Sequence, residues 1–239
     1  MANIKNIKLY LAITYFIILF IFLWFLFKNF NLDDFRSFEL IKSNRDLLEE
    51  VKNKNILISS ILFFILTIIW TLLLGFATPV VLMAGFIFGK VVGSLIVIFG
   101  FSVGATLLYL FVNFFLKDLI YEKFSSKYSY LIDKFKKNEF IYFIIYRAVG
   151  GIPFFIQNLL PIIFNIKIKN YFFGSMVGMA PQLFIGVSLG SGINKIIDEN
   201  LNMPSFFDMI IEPEIYLPII GLIIIFLVAL IFRKQFFRQ

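Results

Sequence analysis

The chain has 239 residues, of which 60% are hydrophobic and 15% charged, with 34 phenylalanines and a formal net charge of +7. That balance is far from a soluble domain and implies an integral membrane protein. There is no Cys and no His, which excludes disulfides, thiolate nucleophiles, imidazole bases and imidazole metal sites, and with them most hydrolase mechanisms.

Uncharged runs cover residues 9–27, 56–89, 91–116, 170–194 and 215–232. Each is long enough to reach across a bilayer core of about 30 Å. Helices are implied, because barrel strands would alternate polar and apolar residues. The first run continues through Trp24 and Phe27 to Lys28 without a small-residue cleavage site, so it reads as a retained anchor rather than a signal peptide. Residues 28–55, with six basic and six acidic side chains, read as an amphipathic surface helix.

The run 56–89 has 34 residues; as one helix it would span about 51 Å, too long for one crossing and too short for two. A break is needed, and Gly75-Phe76-Ala77-Thr78-Pro79 supplies it. Residues 91–116 then cross. The next segment, 117–139, interleaves six Lys with Tyr121, Phe124, Tyr128, Tyr130 and Phe135, the pattern of an amphipathic helix on an anionic leaflet. Residues 140–166 form a second broken run, interrupted at Gly150, Gly151 and Pro153. Both broken runs read as re-entrant hairpins, which need protein or a wet cavity around them.

Loop charge orients the chain. Residues 191–214 carry one Lys against five acids, whereas Arg233, Lys234 and Arg238 follow the last run with no acid. The positive-inside rule therefore puts both termini in the cytoplasm and the 191–214 loop outside. The two hairpins then enter from opposite faces, each followed by one crossing, as in an inverted repeat. The expected architecture is an all-α integral membrane protein of two opposed re-entrant hairpins plus about four full crossings. It divides into an anchor and amphipathic segment (1–55), a core (56–194), and a loop with a final crossing (195–239). Pro79 is followed by Gly100 and Gly104, and Pro153 by Gly174 and Gly178, at the same offsets. Gly85, Gly89 and Gly93 add a row of small residues that lets helices approach closely.

Arg147 is the sole charge in residues 140–166. A lone cation beside a helix-breaking cluster, in a segment otherwise fit for hydrocarbon, marks a functional site for an anion. Its other reading is structural: it snorkels to the interface or caps a hairpin carbonyl.

The string Tyr146-Arg147-Ala148-Val149-Gly150-Gly151-Ile152-Pro153-Phe154-Phe155-Ile156-Gln157-Asn158, continuing to Tyr171, Gly178 and Pro181, resembles the second half of the VTT domain of DedA-like and SNARE-associated Golgi proteins. Pro79, the stretch Ala84 to Gly89, Gly93, Gly104-Ala105 and Tyr109 resemble the first half. The chain departs from that pattern at Asn113, where the family usually has Arg, and at Ile162 and Gln182, where it has Gly. No acid lies in 56–89, which is closer to the Golgi-protein branch and speaks against a proton relay.

The resemblance implies two opposed hairpins and movement of phospholipid or polyprenyl-phosphate lipid between leaflets. Arg147, Gln157 and Asn158 are the expected substrate contacts, a guanidinium grip flanked by neutral hydrogen-bond partners. Pro79, Gly85, Gly89, Gly104, Gly150, Gly151, Pro153, Gly178 and Pro181 are expected to form and pack the hairpins. The expected partners are anionic membrane lipids in the inner or plasma membrane, and a homo-oligomer is compatible with this. Neither a cofactor nor a metal is called for, and scattered basic residues do not favour nucleic acid. An ion-coupled small-solute transporter and a non-transporting scaffold for envelope integrity are the alternatives; no nucleophile and base pair suggests an enzyme.

Overall fold

The computed structural model describes residues 2–29, 55–124, 129–149 and 152–199, with single positions at 47, 50, 216 and 220. Among the described residues all regular structure is helical. In chain order it comprises α1 (Ala2–Asn29), α2 (Ile56–Leu72), α3 (Ala77–Phe124), α4 (Ser129–Lys137), α5 (Glu139–Ala148), α6 (Phe154–Leu159), a 3-10 turn (Leu160–Phe164) and α7 (Ile168–Glu199). Two stretches, Ala77–Phe115 and Ile168–Gly192, are long and apolar enough to cross a membrane. The expected last crossing, most of the 28–55 segment, the outer loop beyond Glu199, and Gly150-Gly151 fall outside the described residues.

Two boundaries differ from the sequence pattern. α7 runs on to Glu199, past the end of its uncharged run. α3 likewise continues beyond 91–116 to Phe124, and Ser129–Lys137 is helical as α4. Charged residues at a helix end do not stop the helix when that end can reach water.

The first uncharged pair of arms starts at Asn55, whose Oδ1 accepts from the Leu57 and Ile58 amides, an N-cap. α2 stops at Leu72, and Leu74 takes a left-handed φ of 58°. Helix resumes at Ala77, with Pro79 in the first turn where its missing N–H would be unpaired anyway. Trp70 closes over this turn: Nε1 donates to the Phe76 carbonyl at 2.7 Å, and a side chain on Gly75 would collide with the indole. The Leu72 carbonyl, freed by the helix end, accepts from the Tyr15 hydroxyl of α1 at 2.7 Å.

Gly89 then divides α3 into two arms, 77–88 and 90–124, with φ 73° and ψ 175°, a conformation open essentially to glycine alone. The arms fold back on one another. Val80, Val81 and Ala84 pack with Val97 and Phe101, and a Cβ on Gly93 would lie 2.6 Å from the Ala84 carbonyl. Gly89 is therefore a turn residue rather than a packing one, since nothing approaches within 4 Å of where its side chain would be.

The glycine pairs at matching offsets do the same work in both halves. Side chains on Gly100 and Gly104 would strike Thr67 and Thr71 of α2, and on Gly174 and Gly178 would strike Phe143 and Arg147 of α5. α2 thus runs in the same direction as 90–124, and α5 in the same direction as α7. Gly93 meets Val187 while Tyr109 meets Tyr171, so 90–124 and α7 run antiparallel. Gly85 lets the 77–88 arm touch the α7 backbone at Val187 and Ser191.

Gly85→Ala and Gly89→Ala are expected to destabilise by similar amounts, about 1–3 kcal/mol, the first through overpacking and the second through backbone strain in open space. Thermal unfolding in detergent checks this; a Gly89→Ala variant that melts with wild type would contradict the turn assignment.

Candidate functional site: a buried arginine at a helix break

The break that carries Arg147 follows from local backbone chemistry. α5 ends at Ala148; Val149 is extended, with φ −71° and ψ 113°, and Pro153 caps α6 with φ −52° and ψ 135°. A residue of that conformation cannot continue the helix, and the ring of Pro153 disfavours helical dihedrals before it. At its other end α5 is pinned to α7. Glu139 Oε1 accepts from the Lys167 amide and from Asn170 Nδ2, both at 2.8 Å.

Between these ends, Phe143 and Arg147 lie one turn apart on the buried face of α5. Arg147 has 0% exposure. Its Nη1 donates to Asn158 Oδ1 and its Nη2 to the Tyr171 hydroxyl, each at 2.7 Å. That hydroxyl in turn donates to the Asn158 carbonyl at 3.0 Å. The guanidinium carbon lies 5.2 Å from the Phe143 ring centroid and 5.0 Å from that of Tyr171, within cation–π range. Tyr171 is itself held by stacking on Tyr109 at 4.3 Å, whose hydroxyl donates to the Ile166 carbonyl.

The carbonyls freed at the end of α5 are satisfied by amides. Gln157 Nε2 lies 3.3, 3.2 and 3.3 Å from the carbonyls of Tyr146, Arg147 and Val149, and Gln182 Nε2 donates to the Arg147 carbonyl at 3.3 Å. Tyr146 closes the loop by donating to the Gln157 carbonyl. Gln157 is thus a helix C-cap, while Asn158 addresses the cation directly.

The acceptors holding Arg147 are uncharged, and donors are left over. Arg147 Nε, Asn158 Nδ2 and Ser175 Oγ are buried without a hydrogen-bond partner. Arg carries no acceptor, so the Asn158 oxygen must face it and the amide NH₂ must point elsewhere. Chemically the locus offers positive charge and spare N–H groups to an acceptor.

Of the expected contacts, Arg147, Gln157 and Asn158 come together here. Pro153 initiates α6; Gly178 admits α5 to within 2.5 Å of its would-be Cβ at the Arg147 Cβ. Pro181 lies inside α7, next to Gln182. Gly104 and Gly85 pack elsewhere in the core. Tyr171, Tyr109, Gln182 and Glu139 complete the site without having been singled out as contacts. The one signal for Tyr171 was its place as an aromatic of the family pattern; a hydroxyl reaching across 24 residues leaves no local trace.

A model of the VTT domain family matches residues 57–192, more than half of the chain. The chain belongs to the VTT domain family. It is similar to two proteins named transmembrane protein 41 homolog. The one from Dictyostelium discoideum is 26% identical over 168 residues, covering 67% of this chain and 49% of that protein. The one from Caenorhabditis elegans is 22% identical over 168 residues, covering 67% of each. The chain spans about half the length of the Dictyostelium relative. No solved structure matches significantly. With its apolar helices, this VTT chain is an integral membrane protein. Every residue of the arginine site falls within the VTT match, whereas α1, which supplies Tyr15 to the first break, lies outside it.

Tyr171→Phe removes one acceptor from a buried cation and one donor from the Asn158 carbonyl while keeping the ring stack. A destabilisation of about 1–3 kcal/mol is expected, read as a lowered melting midpoint in detergent; an unchanged midpoint would mean that the hydroxyl carries no part of the network.

Proposed function

We propose that this VTT protein moves an anionic lipid, a phospholipid or polyprenyl phosphate, passively between leaflets. The path runs along a seam between two opposed re-entrant hairpins, α2 with the 77–88 arm and α5 with α6. Their inverted entry is supported by the antiparallel course of the two crossing helices that follow them. The basic end of the core, at α4 and the start of α7, lies toward the cytoplasm by the positive-inside rule, with both termini on that side.

One observation carries the reading. Arg147 is fully buried, its partners are neutral, and it keeps an unpartnered Nε beside an unpartnered Asn158 amide. A buried cation without an offsetting carboxylate is costly, and spare donors beside it suit a phosphate's oxygens. Arg147 and Asn158 would contact the headgroup as the hairpin opens, Tyr171 giving way as its stand-in acceptor; Gln157 holds the break. No cofactor takes part, and exchange needs no ion gradient.

The test reconstitutes the full chain in liposomes and follows fluorescent anionic phospholipid or polyprenyl phosphate between leaflets. Wild type is expected to accelerate exchange over empty liposomes without a proton or sodium gradient; Arg147→Ala should abolish the acceleration and Arg147→Lys should retain part of it. Exchange that appears only under a gradient would favour an ion-coupled transporter, and no exchange at all would favour a scaffold.

A further inference from the structure

The Glu139 staple has an effect on surface charge. By joining the start of α5 to the start of α7, it brings together two basic segments some thirty residues apart. α4 is seated beside them: Ile132 is buried, and the Phe135 ring stacks on Phe164 of the 3-10 turn at 4.4 Å. Lys136 and Lys137 at the end of α4, and Lys167 and Lys169 at the start of α7, therefore share one end of the helical core, and all four are exposed. Among the described side chains the carboxylates nearby are the exposed Asp133 and the half-buried Glu139, whose Oε1 is already committed to α7.

Exposed apolar residues lie near these lysines: Phe140 and Ile141 come just after Asn138-Glu139, Ile168 separates Lys167 from Lys169, and Tyr130 is 73% exposed on α4. Lysine heads beside solvent-exposed aromatic and aliphatic side chains fit the boundary between headgroups and hydrocarbon. A soluble polyanion would leave that apolar surface in water. Arg147 lies eight residues along α5 from Glu139, a depth of about 12 Å, so the collar and the buried arginine are separate stations.

We propose that Lys136, Lys137, Lys167 and Lys169 form a binding surface for anionic lipid headgroups, selecting them over zwitterionic ones at the end of the helical core where α5 begins. That this selection precedes delivery to Arg147 rests on the translocation reading; the binding itself does not.

The experiment incubates the detergent-solubilised full chain with equal amounts of phosphatidylglycerol and phosphatidylcholine and quantifies retained lipid by native mass spectrometry. Wild type is expected to prefer phosphatidylglycerol. Changing the four lysines to Gln should lower that preference roughly tenfold or more, and changing them to Arg should preserve it. The proposal is overturned if the Gln variant keeps the wild-type preference, or if the Arg variant loses it equally. Displacement of the lipid by millimolar inorganic phosphate would overturn the lipid assignment in favour of a soluble anion. A retained preference in a protein that exchanges no lipid in liposomes would sink the translocation reading and leave the collar standing.

Discussion

A helix that breaks within a packed apolar core frees backbone carbonyls that must find donors inside the protein, and satisfying them is the constraint on which this structure depends. The chain meets it twice, with different groups. At the first break Trp70 donates to Phe76 and Tyr15 to Leu72. At the second, the amides of Gln157 and Gln182 serve the end of α5. Glycines then do the geometric work, admitting each broken helix to the crossing helix beside it through Gly100 and Gly104 or Gly174 and Gly178. The capping donors differ in origin as well. Those of the second break come from within the family unit, while the hydroxyl on Leu72 comes from α1, outside it.

The halves also differ in charge. Thr71 and Arg147 occupy corresponding places, each against the second glycine of its pair. Thr71 closes its hydroxyl onto the Thr67 carbonyl of its own helix and asks nothing further of its surroundings. Arg147 recruits Asn158, Tyr171 and two aromatic faces and still has Nε unpartnered. A buried cation held only by neutral groups favours an anion arriving from outside, and that asymmetry is why the proposed ligand contact is placed in the second half.

Much of this was legible in the sequence because the membrane restricts what a run of residues can do. The length of the 56–89 run demanded a break, and Gly75 with Pro79 located it. The isolation of Arg147 in 140–166, and Gln157 and Asn158 ten and eleven residues on, pointed to the residues that cluster in the candidate site. What the sequence concealed depends on helix rotation and long-range approach. Tyr171 and Tyr109 reach the site only because α7 and 90–124 run antiparallel, and Tyr15 meets a carbonyl 57 residues away. Gly89 sat in a row of small residues that suggested packing, and only its backbone angles reveal a turn. Glu139 looked like one charge in a Lys-rich segment, since nothing local announces a carboxylate that accepts from Lys167 and Asn170.

Whether Arg147 offers its charge to a ligand or only holds the break is decided most directly by Asn158→Asp. The carboxylate keeps an oxygen facing Nη1, removes the spare amide donors and cancels the positive charge without removing the arginine. The account predicts a melting midpoint at or above wild type, with exchange of anionic lipid between leaflets slowed roughly tenfold or more by the added negative charge. Wild-type exchange in a stably folded Asn158→Asp protein would contradict it and leave Arg147 a structural residue.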